Sequence, residues 1–99
     1  MNKEYQWVFN STQGQGTLYN QTHEVIGKVM VVPYNKDVLD IIQTYVDPKF
    51  RGHGIGEQLL ISLLEDESLK NYKFKPTCSY AVIFFEKYVE YRNRLYEGK

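Results

Sequence analysis

A strand-like run is cut by a proline, and the hydrophobic period then changes from two to that of a helix. "VLDIIQTYV" (Val38–Val46) is β-branched and reads as a strand, and "DPKFRGHG" stops it. From there Ile55, Leu59, Leu60, Leu63 and Leu64 recur on one helical face, a pattern that persists to about Leu69. A short strand around Tyr72–Lys75 follows, separated from Val38–Val46 by the helix, so the two strands are expected to be parallel neighbours. The crossover rule lays the leucine face against one side of the sheet. The expectation is an α+β fold: a mixed sheet holding one β-α-β unit.

The flanking segments extend that sheet. Tyr5 to Phe9 alternates as a short strand, and Asn10–Gly16 is a turn or loop by composition. Glu24–Val32 is a strand in which Gly27 marks a bulge or a close backbone approach. Pro33–Asp37 is a turn cluster, which makes a hairpin with Val38–Val46. Strict alternation divides that last strand into Leu39/Ile41/Gln43/Tyr45 and Val38/Asp40/Ile42/Thr44/Val46. Both faces carry apolar residues, which predicts a central strand covered on both sides. A C-terminal helix opens with Ser79 as N-cap and presents Tyr80, Ile83, Phe84, Tyr88 and Tyr91 on one face. Arg92–Lys99 reads as a loosely packed tail.

Three glycines at alternate positions, Gly52, Gly54 and Gly56, stand at the mouth of the leucine helix. A helix start offers free N–H groups and a partial positive charge. Glycine backbone there lets an anion approach without meeting Cβ atoms. Arg51 adds a planar cationic fork suited to phosphate, and Lys49 and His53 stand close by in sequence. A phosphate-binding loop of the Walker type needs Gly-Lys-Ser/Thr, whereas Gly56 precedes Glu57 and Gln58. The dinucleotide fingerprint G-x-G-x-x-G does not fit the spacing either. What is left is R-x-x-G-x-G, Arg51 to Gly56.

Composition narrows the partners. The chain of 99 residues is sized for one domain, residues 1–99. Lys+Arg and Asp+Glu are 12 each, so a basic nucleic-acid surface is not expected. A single cysteine, Cys78, forms no internal disulfide. No run approaches a membrane span and the polar N-terminus lacks a signal-peptide core, which points to a cytoplasmic protein.

"TYVDPKFRGHGIGEQLL" resembles the acetyl-CoA-binding motif of the GNAT superfamily of N-acetyltransferases. "KFKPTCSYAVIFFEKYVEY" is similar to the end of the small single-domain GNAT-like branch, with its Pro-x-Cys-Ser-Tyr at Pro76–Tyr80. The likeness spans about Glu24 to Tyr91. It departs from the family at Gln43-Thr44-Tyr45-Val46, where a His-Thr-Glu-Val run is usual, and in a longer stretch between Phe9 and Glu24. The resemblance implies a compact GNAT-like mixed sheet ending in a helix. It implies that the amides of Arg51, Gly52, His53, Gly54, Ile55 and Gly56 hold the CoA pyrophosphate. The pantetheine arm would pair with the strand ending at Val46, in a splay beside Tyr72–Lys75, with the thioester near Cys78. The activity implied is acetyl transfer from acetyl-CoA to an amine acceptor, by a monomer or weak dimer.

Cys78 then either accepts the acetyl group transiently or only shapes the thioester pocket, while a free cysteine is ordinarily a small buried hydrophobe. Tyr80 faces the site region if the helix starts at Ser79, and Tyr45 is a candidate for the acceptor side. Glu57 and Glu65 read as solvated helix surface. Two competing readings are a CoA-binding module with little or no turnover, and an interaction domain whose glycines form only a tight turn.

Overall fold

The computed structural model describes residues 4–98. Five strands, β1 (Gln6–Asn10), β2 (Gln15–Tyr19), β3 (Val25–Asn35), β4 (Val38–Val46) and β5 (Lys73–Pro76), form one sheet in the order β1-β2-β3-β4-β5. The first three pairings are antiparallel and β4–β5 is parallel, as the intervening helix α1 (Ile55–Glu65) requires. A second helix, α2 (Ser79–Lys87), follows β5. Both helices cover the same face: Val29, Val31, Leu39, Ile41 and Phe74 share one buried cluster with Leu60, Leu63 and Leu64 of α1 and Ala81, Phe84 and Phe85 of α2. No helix among the described residues is long and apolar enough to cross a membrane.

The predicted leucine face is the buried one throughout, but α1 stops at Glu65 rather than near Leu69. Asp66 takes an extended conformation, and its carboxylate caps a new 3-10 turn, Glu67–Leu69, by accepting the Ser68 N–H at 2.9 Å. The same side chain accepts the Trp7 indole N–H at 2.8 Å and so ties β1 to the end of α1. Burial pushes the Asp66 carboxyl up, but hydrogen bonds from Ser68 and Trp7 outweigh it and hold the group below the usual aspartate range. A lowered folded-state value means this stabilisation is complete above the unfolded pKa, about 3.9, and is lost as the pH falls through the folded one. Asp66→Asn is therefore expected to cost about 1–2 kcal/mol at pH 7. Its urea-unfolding free energy should also drop less than that of the unchanged protein between pH 5 and pH 2.

Alternation fails in β4, and the reason is a bulge. Val31 pairs with Ile41 and Met30 with Gln43, so Ile42 is an extra residue on β4. Past it every side chain changes face. Thr44 and Val46, paired with Val29 and Gly27, turn toward the helices, while Gln43 and Tyr45 turn outward and are exposed. The strand is also covered on both sides only at its start: Val38, Leu39 and Ile41 are buried, and β5 pairs with Val38–Ile41 alone. Gly27 marks both a bulge and a close approach. The register shifts just before it, and a Cβ on it would lie 2.8 Å from Leu59 Cδ1 and 2.9 Å from the Tyr45 carbonyl oxygen.

Two C-terminal expectations also change. Ser79 is the first helical residue of α2, and Cys78 occupies the cap without a side-chain capping bond. The buried stripe is Ala81, Phe84 and Phe85, whereas Tyr80 and Ile83 point outward, 42% and 62% exposed. The tail is packed rather than loose. A 3-10 turn, Val89–Arg94, leads to Leu95, which bridges to Phe74, and the Tyr96 N–H donates to the Phe74 carbonyl at 2.8 Å. Lys99 lies outside the described residues.

Candidate active site

The site is built by a strand that loses its neighbour. The Ile41 carbonyl accepts two N–H groups, from Thr77 at 3.1 Å and Cys78 at 2.9 Å, and there the chain leaving β5 diverges into α2. Beyond this fork the β5-side edge of β4 is open. The bulge swings Thr44 into the fork, where its Oγ1 stands 3.4 Å from Cys78 Sγ.

At the other end of β4, Asp47 stops the strand and caps Pro48–Phe50, accepting the Lys49 N–H at 2.9 Å. Arg51 follows, and its Nε donates to the Val46 carbonyl at 3.0 Å. That bond fixes the guanidinium beside the end of β4 and leaves its two outer nitrogens for other acceptors. Gly52 and Gly54 have φ of +87° and +73°, and a Cβ on either would meet nothing within 4 Å. Their bareness therefore serves the turn and leaves open space above it. The first hydrogen bond of α1 runs from the Gln58 N–H to the Gly54 carbonyl, so the N–H groups of Ile55, Gly56 and Glu57 have no intrahelical acceptor.

Gly56 has a different reason. A Cβ there would fall 2.3 Å from the Tyr80 hydroxyl oxygen, so the glycine makes room for the phenol to lie against the first turn of α1. Tyr80 thereby forms one wall of a cleft of about 400 Å³, with Thr44, Tyr45 and Val46 on the β4 side and Arg51, Gly52, Gly54, Ile55 and Gly56 at the loop end.

Six of the eight site residues expected from sequence thus meet around one cleft: Val46, Arg51, Gly52, Gly54, Ile55 and Gly56. The Ile55 side chain is buried in the core, so it offers the cleft its backbone. His53 is exposed and does not line the cleft, and Cys78 stands behind Thr44, half-buried against the main core. Thr44 was not legible, because simple alternation puts it on the face of Asp40. Glu57 is not simply solvated. Lys87 of α2 donates to its carboxylate at 2.8 Å, and that bond, with one from the Tyr88 hydroxyl, holds the Glu57 pKa below the glutamate range. Glu65 accepts from the Tyr91 hydroxyl at 2.7 Å, and burial together with that acid pushes the Tyr91 pKa up to about 12. Among the described residues, no group of three His, Cys, Asp or Glu side chains is placed to hold a metal ion.

Residues 18–95 match the family model of GCN5-related N-acetyl-transferases. No curated protein matches the chain. Among solved structures, the fold is similar to that of a GCN5-like protein from Staphylococcus aureus. The identity is 17%, 99% of this chain and 94% of that one are covered, and the TM-score is 0.71. It is also similar to a GNAT family acetyltransferase from Elizabethkingia anophelis with acetyl-CoA bound, at 25% identity over 78% of this chain and 54% of that one, with a TM-score of 0.62. A third is the diaminobutyrate acetyltransferase of Paenibacillus lautus, in complex with its substrate L-2,4-diaminobutyric acid and coenzyme A. There the identity is 16%, the coverage 82% and 52%, and the TM-score 0.61. The chain spans about half the length of these last two proteins.

Proposed function

The chain belongs to the GCN5-related N-acetyltransferase family, and from that premise we propose that it transfers the acetyl group of acetyl-CoA to a primary amine. The observation that carries this reading is the cleft itself. It joins an open strand edge to a cluster of unpaired amides beside a fixed arginine. An amide-containing arm pairs with the free edge of β4 as an added strand would. A diphosphate suits the Gly52–Glu57 amides and the Arg51 guanidinium. Together they give the cosubstrate one direction, with its phosphates at the loop and its thioester at the fork beside Thr44. The acetyl-CoA-bound relative and the diamine-bound relative have the same fold and support that choice of donor and acceptor.

The chemistry follows from that direction. A neutral amine attacks the thioester carbonyl, and the negative charge that develops on oxygen needs a preorganised donor. The bulged stretch of β4 has N–H groups on its free edge for this. The adduct's cationic nitrogen gives its extra proton to water, the C–S bond breaks, and the departing thiolate takes a proton. We assign that proton to the Tyr80 hydroxyl, a side-chain acid lining the wall of the cleft opposite β4. Cys78, hydrogen-bonded to Thr44, shapes the acyl end and carries no acetyl group in this reading.

Calorimetric titration with acetyl-CoA and with CoA tests the binding half, and release of free CoA thiol across a panel of amines tests the transfer. At saturating acetyl-CoA, Tyr80→Phe is expected to lower kcat by about 10- to 100-fold. Cys78→Ala should stay within about tenfold of the unchanged protein. Complete loss in Cys78→Ala with binding intact would instead make the thiol an acyl carrier. Saturable binding without thiol release for any amine would leave a CoA-binding module. The same reading keeps the protein in the cytoplasm, where the free thiol stays reduced, as a monomer or weak dimer without a nucleic-acid partner. Recovery from a secreted fraction, or nucleic-acid binding at physiological salt, contradicts it.

A further inference from the structure

The first turn of α1 carries an acid at the very end where phosphates are to be held. Glu57 is the third residue of the helix. A carboxylate in that position is attracted to the same partial positive charge as an anionic ligand, and repels the ligand. Here the side chain is drawn away. Lys87, the last residue of α2, donates to Glu57 Oε2 at 2.8 Å. The pair crosses from α1 to α2 along a groove of about 240 Å³, with Tyr80, Ile83 and Phe84 lining it. That groove and the main cleft share Tyr80 as a wall.

We propose that Lys87 is a positioning residue for the cosubstrate: it holds the Glu57 carboxylate on the α2 side and cancels its charge, so that the phosphates meet free amides and Arg51 instead of an acid. The inference rests on the transferase reading, and it gives α2 a second task beside presenting Tyr80. Lys87 acts only through Glu57, which makes a specific pattern of variants.

Binding of CoA and of S-acetylpantetheine, a probe with no phosphate, is followed by chemical-shift titration for the unchanged protein, Lys87→Met, Glu57→Gln and the double variant. Lys87→Met is expected to weaken CoA about fivefold, the repulsion of one solvated acid by a diphosphate several ångströms away, and to leave S-acetylpantetheine unchanged. Glu57→Gln should bind CoA at least as tightly as the unchanged protein, and the double variant should match Glu57→Gln. If the double variant is as weak as Lys87→Met, the lysine touches the ligand or supports the fold, and the proposal is overturned. Equal weakening of both probes overturns it too. No CoA binding by the unchanged protein removes the transferase reading itself and this inference with it.

Discussion

Gly54→Glu is expected to raise the dissociation constant for CoA at least about a hundredfold while the protein still folds. The two effects separate because of what surrounds the residue. A Cβ at Gly54 meets nothing within 4 Å, so the new side chain displaces no protein atom. The φ of +73° is strained for any L residue, at about 1–2 kcal/mol, which lowers the unfolding midpoint without abolishing the fold. The ligand is affected far more. The glutamate fills the open space above the free amides of α1 and sets a carboxylate against a diphosphate. A hundredfold loss is about 2.8 kcal/mol, and a like-charge contact at 4 Å near a protein surface is on the order of 4 kcal/mol. Gly52→Glu should behave alike, since its Cβ also faces open space. Gly56→Glu should differ, because its Cβ strikes Tyr80 and displaces a wall of the cleft. A folded Gly54→Glu protein that binds CoA as before would mean that the loop does not hold the phosphates.

That contrast shows how far the sequence could be read. The strand, the proline break and the leucine stripe from Ile55 to Leu64 were legible because each depends on local periodicity and turn chemistry. The turn before the helix was legible for the same reason, since clustered glycines mark backbone that takes positive φ, as Gly52 and Gly54 do. Which glycine serves which purpose was not. Gly52 and Gly54 supply positive φ and space, while Gly56 accommodates a phenol 24 positions further along, and no local pattern encodes that distance. The faces of β4 were misread because a bulge is decided by pairing with β3, and one extra residue reverses every side chain after it. Thr44 therefore came into the site only with the register. In α2 the apolar spacing put Tyr80 and Ile83 on one face with Phe84, whereas the residues that pack are Ala81, Phe84 and Phe85, a choice made by the sheet they meet.

The residue most hidden in the sequence is expected to be among the most important for stability. Arg94 lies in the stretch whose composition suggested a loose tail, yet its guanidinium donates to three main-chain carbonyls. Nη2 reaches Leu69 at 2.8 Å and Tyr72 at 3.1 Å, Nε makes a longer bond to Tyr72 at 3.4 Å, and Nη1 donates to Leu64. Those carbonyls are the last turn of α1, the end of the following 3-10 turn and the approach to β5, so one side chain fastens the whole return from helix to sheet. Its plane also lies over the Phe74 ring, with Cζ 5.3 Å from the centroid. Burial pulls the guanidinium pKa down, but an arginine stays charged at any ordinary pH, so these bonds do not titrate. Hydrogen bonds to a charged donor contribute about 1.5–3 kcal/mol each, and water replaces part of what is lost at a half-buried site. Arg94→Ala is therefore expected to cost about 3 kcal/mol, lowering the melting temperature of a domain this size by about 15 °C. Arg94→Lys should recover less than half, because a point charge cannot serve three carbonyls in one plane. Thermal unfolding of the three proteins decides it. A shift in Arg94→Ala of under about 4 °C, near 1 kcal/mol or less, would mean that the C-terminal segment is only laid against the fold and does not fasten it.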